Sequence, residues 1–260
     1  MVSKGICKML LITQPRAGTS HNEILALQMA AREEGWDVFS APMGWRLTEE
    51  MIASGVSGVP YGSQTFCEVI AQQMNWTLKQ NSFDWLAKLP EWYLQRKVEF
   101  MTLGEAKLLQ ETKFIKPADD KVFPAKVYAP GELVTHEVVS NDTPTLVSDV
   151  VQFDLEYRTF VTANQTLTWL NYIFLEHVAD PKMWNMIPAD LCRPDHFVDY
   201  MLDDRSGGID AHASVIDVGR IPGKGWAIIE TNQAWASGLY GCDPSLALKV
   251  MQDSCSKNES

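Results

Sequence analysis

Asp217, Glu230 and Asn232 are the residues whose types and spacing point first to chemistry. They lie on two β-rich runs, Ser214–Gly219 and Trp226–Thr231, with the adjoining Asn232. Between the runs is Arg220–Gly225, which holds the turn formers Pro222, Gly223 and Gly225. The pattern predicts a β-hairpin. Side chains alternate across a strand, so Glu230 and Asn232 share one face. With an even number of residues in the loop, Asp217 points to that same face, nearly opposite Glu230. Two carboxylates and an amide oxygen then converge. Such an all-oxygen set suits Mg²⁺, a hard cation that usually binds through one or two carboxylates plus substrate phosphates. Ordinary solvated hairpins also carry acids, so the hairpin alone leaves both readings open.

Two cations stand out from the rest. Lys116 lies in KFIKP (Lys113–Pro117), which reads as a strand ended by proline, with Lys121 across the following turn and Lys126 further on. Most lysines are solvated surface charges. Lys116 follows Phe114 and Ile115, however, and a lysine kept on a partly buried strand pairs with a phosphate or carboxylate. Glu156 and Arg158 sit two apart within Phe153–Val161, hence on one face. An arginine there suits a bidentate clamp on phosphate or carboxylate, or else a cross-strand ion pair of little worth. No GxSxG, HExxH or GxxxxGKS occurs, and the five histidines have no ligand-like spacing. Hydrolase, zincin and P-loop chemistries therefore lack support.

The elements that must hold these residues follow from hydrophobic patterning. At 260 residues and 46% hydrophobic, the chain is long enough for one large or two modest cores. Lys8–Gln14 reads as a buried strand. A helix runs from a cap at Ser20 or Asn22 to about Glu34, and Trp36–Ser40 is a second strand. This βαβ opening predicts a parallel sheet. The loop Pro15–Ser20 lacks a phosphate-cradling pattern. Gly55–Ser63 reads as a turn-rich loop, Gln64–Leu78 and Glu91–Val98 as helices, Asn81–Pro90 as irregular. Gly104–Gln110 reads as a short helix and Val122–Tyr128 as a strand. Leu146–Ala163 is expected to be strand, connector, strand. Asp195 is expected to cap a helix to about Leu202, and Arg205–Gly208 to turn. Asp243-Pro244 starts the last helix, with a frayed tail after Cys255. The net charge of -11 argues against nucleic-acid and anionic-membrane partners. Five scattered cysteines without a CxxC pair suggest reduced thiols in the cytoplasm. The apolar run Met9–Ile12 is too short for a secretory leader, and nothing approaches a transmembrane span.

Taken in order, KFIKP, EYRTFV and IDVG…IIETN resemble the ATP-grasp superfamily of ATP-dependent ligases and kinases, most of all its small bacterial and phage-associated members. DWLAKLP and ETNQAWASGLYGCDP share in the likeness, which covers roughly Asp84–Pro244. The resemblance implies an α/β protein: a Rossmann-like domain over 1–100, a two-subdomain α+β ATP-grasp domain over 101–255, and a tail over 256–260. It implies ATP held between the subdomains, with Lys116 on the phosphates and Lys121 assisting. The segment Ser148–Phe153, including Asp149, Val150 and Val151, would pack on adenine. Arg158 would stabilise the phosphoryl group in transit, and Glu156 would position Arg158 or the ribose. Asp217, Glu230 and Asn232 would hold Mg²⁺. Many members carry a second lysine far upstream of the KP strand; here the upstream cations are Arg96 and Lys97. The implied activity is an ATP- and Mg²⁺-dependent carboxylate–amine ligase working through an acyl phosphate on small-molecule or peptide substrates. A small-molecule kinase and a non-catalytic nucleotide-binding module are the alternatives. Trp235 and Tyr240, after the metal residues, either face the transferred group or pack their loop.

Overall fold

A computed structural model describes residues 9–14, 20–119, 122–133, 139–174, 193–204 and 211–258. The chain opens with β1 (Leu10–Thr13), α1 (Ser20–Glu33), β2 (Asp37–Ser40), α2 (Glu49–Ala53), β3 (Gly58–Tyr61), α3 (Gln64–Met74) and β4 (Trp76–Leu78). The first three strands form a parallel sheet in the order β2-β1-β3, as the βαβ reading requires. The expected loop Gly55–Ser63 instead contains β3, which is buried throughout. Its Pro60 is tolerated because β3 is an edge strand with no ladder donor to supply on its open side. Gly58 marks a close approach, since a Cβ there would lie 2.7 Å from the Trp76 ring. The helix expected to reach Leu78 stops at Met74, where Asn75 turns left-handed at φ 55°.

After α4 (Trp85–Lys88) and α5 (Glu91–Leu94) come β5 (Val98–Thr102), α6 (Leu103–Ala106), β6 (Lys113–Pro117), β7 (Lys126–Tyr128) and β8 (Pro144–Ser148). The expected helix Glu91–Val98 is thus one turn, ended by left-handed Gln95. The expected strand Val122–Tyr128 is only its last three residues. These strands form an antiparallel sheet, β5-β8-β6-β7, over a small core of Leu103, Ile115, Phe123 and Val147. Then follow β9 (Leu155–Val161), β10 (Thr166–Phe174), α7 (Pro194–Asp203), β11 (Ser214–Ile221) and β12 (Gly225–Asn232), giving the antiparallel sheet β10-β9-β11-β12. Helix α7 begins on Pro194, and Asp195 makes an ion pair with Arg193 instead of capping. The turn expected at Arg205–Gly208 lies outside the described residues. Helix α8 (Pro244–Asp253) starts on the predicted cap, Asp243 accepting from the Leu246 amide at 3.0 Å. The tail is not frayed at Cys255: β13 (Cys255–Lys257) pairs with β4.

The β9–β12 sheet has two different faces. Tyr157, Val161, Ile216, Val218 and Ile228 point into a core closed by α4, α5 and α7. On the opposite face, Phe160 and Val215 join α1, α3, α8 and the parallel sheet in the largest core. One and two alternations further along that second face stand Arg158 and Glu156, where the apolar packing has ended. Among the described residues no helix is long and apolar enough to cross a membrane.

Candidate functional site

The hairpin of β11 and β12 brings the three expected residues together by a route that alternation alone does not give. Ile221 pairs with Gly225, so the connecting loop has three residues, Pro222 to Lys224, and is odd. Continued without a break, that register would set Asp217 opposite Ile229 and turn Glu230 away. A bulge intervenes: Val218 pairs with Ile228 and Asp217 with Glu230, leaving Ile229 as the extra residue. The correction to the even-loop expectation is this bulge. Arg96 holds it from the side. Buried at 6% exposure, it donates Nη1 to the Leu94 and Ile228 carbonyls, both at 2.9 Å, and Nη2 to the Ile229 carbonyl at 3.2 Å. Its guanidinium also lies 5.4 Å from the Phe153 ring centroid, and burial lowers its pKa to about 10.

Asn232 reaches both acids with its amide nitrogen, 3.0 Å from Glu230 Oε1 and 3.4 Å from Asp217 Oδ2. Arg158 lies opposite Asp217 on β9 and grips it bidentately, Nε to Oδ1 at 2.9 Å and Nη2 to Oδ2 at 2.7 Å. Its remaining arm donates to the Gly238 carbonyl at 3.1 Å. Lys116, on the other antiparallel sheet, spans the gap to Glu230 Oε2 at 2.5 Å. The two sheets therefore meet through an ion pair, and two cations neutralise two acids. Asp217 is 1% exposed, and burial pushes its carboxyl up to about 6 even with Arg158 beside it. Burial pushes Glu230 up as well, but Lys116 outweighs it and holds that carboxyl at about 2. Burial works against the charge of Arg158, and Asp217 more than restores it.

Lys116, Arg158, Glu230 and Asn232 line one cavity of about 1100 Å³. Asp217 stands behind Arg158. Glu156 accepts from the Tyr172 hydroxyl at 2.9 Å, and burial raises its pKa. Asp149 is engaged at the foot of the connector: Lys113 donates to it at 2.9 Å and the Lys97 amide at 3.1 Å. Val150 is exposed and Val151 half-buried beside it; this stretch lies away from the cavity wall. Lys121 lies outside the described residues. Of the two loop aromatics, Trp235 packs, buried at 1% exposure with its indole donating to the Lys79 carbonyl. Tyr240 faces the cavity.

Sequence reasoning missed Tyr172, Asn81 and Glu23. Asn81 bridges the His212 amide, Ser214 and Thr231 at the cavity wall. Tyr172 sits on β10, whose apolar run after the Asn164 turn signal was available to be read as the partner of β9.

The donor chemistry at this cluster fits Mg²⁺. Among the described residues no group of three or more His, Cys, Asp or Glu is gathered, so a cation here draws on two carboxylates and one amide. All three supply oxygen once the Asn232 amide turns over, and the pairs to Arg158 and Lys116 show that positive charge is satisfied at this spot.

Two antiparallel sheets facing each other across a Lys–Glu pair, beside a smaller parallel sheet, make this an ATP-grasp fold. A family model for an ATP-grasp domain, family 2 of its clade, matches residues 93–250, and the chain belongs to that family. No curated protein sequence matches it. Similar solved structures include D-cycloserine synthetase DcsG, at 11% identity and TM-score 0.56 over 94% of this chain and 99% of that one. N5-carboxyaminoimidazole synthase from Aspergillus clavatus, in complex with ADP and a ribonucleotide, is 10% identical with TM-score 0.54, over 95% and 77%. D-alanine–D-alanine ligase from Bacillus anthracis is 11% identical with TM-score 0.50, over 95% and 97%. These likenesses are of fold.

Proposed function

We propose that this chain is an ATP- and Mg²⁺-dependent ligase that joins a carboxylate to an amine through an acyl phosphate. The observation that carries the reading is the convergence of Lys116, Arg158, Glu230 and Asn232 on one cavity, with Asp217 behind them. Phosphoryl transfer asks a protein chiefly for positioning and charge neutralisation, and this set supplies both without a side-chain nucleophile. Membership of an ATP-grasp family supports ATP as the donor. Proteins of the same fold that are named as ligases or synthetases support the reaction type.

In this reading Asp217, Glu230 and Asn232 hold the metal, which when bound neutralises phosphate charge. Lys116, released from Glu230, binds the nucleotide phosphates, with Lys121 assisting. Arg158 faces the transferred γ-phosphoryl, and Glu156 orients the ribose end of the site. Asp149 shapes the connector through its pairing with Lys113, leaving Val150 and Val151 to pack on adenine. The acceptor carboxylate oxygen attacks the γ-phosphorus as the bond to the bridging oxygen of ADP breaks. The amine then attacks the acyl carbon, phosphate leaves, and the amine proton is lost to solvent. The walls of the cavity keep water from the acyl phosphate. The chain divides near residue 100, with β5 counted in the ATP-grasp part and α8 packed into the N-terminal core.

The test is a screen of amino acids and small or peptide carboxylates that follows ADP and traps with hydroxylamine. A hydroxamate with ADP is the expected result. ADP with a stable phosphate ester, formed only from alcohols, assigns a kinase instead, and AMP with pyrophosphate overturns both.

A further inference from the structure

We infer that Tyr240, clamped through its backbone by Glu23, is the positioning residue that orients the Arg158 guanidinium. This rests on the reading that Arg158 serves the transferred phosphoryl group. The Arg158 guanidinium carbon lies 4.3 Å from the Tyr240 ring centroid and 5.9 Å from that of Tyr172. The two rings stack with centroids 5.3 Å apart and planes 19° from parallel. An aromatic face attracts a guanidinium through its quadrupole, most strongly where water is displaced, and Arg158 is 7% exposed.

The ring is held there at a conformational cost. Tyr240 adopts φ 47°, a left-handed backbone that bulky residues rarely accept, and Gly241 follows at φ 85°. Gly241 cannot be replaced cheaply, because a Cβ would lie 2.5 Å from Leu170 Cδ2. Glu23, in the first turn of α1, accepts the Tyr240 amide at 2.8 Å. The same loop offers the Gly238 carbonyl to Arg158 Nη1. Asp217 alone fixes the guanidinium plane, but a bidentate pair lets that plane rock about its long axis. A ring over the face and a carbonyl at the third nitrogen remove that freedom. Helix α1 of the N-terminal core is thereby wired to the charge cluster: Glu23 to the Tyr240 amide, Tyr240 ring to Arg158, Arg158 to Asp217.

The experiment reads the arginine Nε–Hε signal of Arg158 in ¹⁵N-edited spectra of the full chain, identified by its loss in Arg158→Lys. Tyr240→Leu removes the ring-current displacement of that signal, and Glu23→Ala reduces it. Tyr240→Phe and Glu23→Gln retain it, because the aromatic face and an acceptor oxygen remain. With ADP release as the second readout, Tyr240→Leu lowers kcat on the order of tenfold while KM for ATP changes less than about twofold. Tyr240→Phe restores most of that loss. An Arg158 signal unmoved in folded Tyr240→Leu overturns the inference. So does a Tyr240→Phe variant as impaired as Tyr240→Leu, which assigns the hydroxyl to a substrate instead. Absence of ADP release from the parent with every acceptor counts against the ligase reading, while the spectra still decide the role of Tyr240.

Discussion

At the scale of single residues, Lys116–Glu230 and Arg158–Asp217 look alike as ion pairs and differ in what surrounds them. Asp217 is sealed behind Arg158, whereas Glu230 keeps 32% of its side chain exposed. Removing one partner of a buried pair strands the other charge without water, at a cost of about 3–5 kcal/mol. Removing one partner of a wetter pair costs about 1 kcal/mol or less. Asp217→Ala is therefore expected to lower the urea midpoint far more than Lys116→Met. Equal losses would show that Asp217 is better hydrated than its packing indicates. Lys116→Met is expected to weaken nucleotide binding while leaving the fold nearly as stable, since its partner at Glu230 can turn to solvent.

At the scale of elements, the decisive feature is the bulge at Ile229. It converts an odd loop into a register in which Asp217 faces Glu230, and at the same time keeps Ile228 in the core beside Val218. Arg96 satisfies the carbonyls that the bulge leaves unpaired in the ladder. Arg96→Met is expected to destabilise the protein by about 1.5–3 kcal/mol, the range for hydrogen bonds from a charged group. Amide hydrogen exchange should localise the loss to β12 and the α5 turn. Protection lost uniformly across all sheets would argue that Arg96 acts on the whole fold. Gly219 works on the same strand pair: a Cβ there would sit 2.5 Å from Phe153 Cδ1, so the connector ring lies flat on β11 only because the residue is glycine.

At the scale of the whole molecule, the cavity is walled by the N-terminal part, the β5–β8 sheet and the β9–β12 sheet together. A ligand that spans them binds the folded chain and not the unfolded one. At a hundredfold excess over Kd it adds roughly 2.7 kcal/mol of stability. For a chain of this size that raises Tm by roughly 5–10 °C. A non-hydrolysable ATP analogue with Mg²⁺ is expected to give such a shift, and EDTA to remove most of it. No shift at millimolar analogue, with or without Mg²⁺, would remove ATP from the reading.

Much of this protein was already legible along the chain, because its strongest signals are local. Alternation in LEYRTFV placed Glu156 and Arg158 on one face, and Asp243-Pro244 marked the start of α8 from capping chemistry alone. The order KFIKP, EYRTFV, IIETN pointed to the family. Locality also explains the errors. Gly58 and Pro60 read as turn residues because a close approach to Trp76 and an edge position in a parallel sheet are facts about neighbours distant in sequence. Pairing of Cys255–Lys257 with Trp76–Leu78 joins residues nearly the whole chain apart, which no window of sequence contains. The cluster itself combines both. Residue types and period two brought Glu230 and Asn232 to one face. Only the tertiary structure set Asp217 opposite Glu230, because the bulge at Ile229 exists where Arg96, from another element, satisfies the carbonyls it exposes.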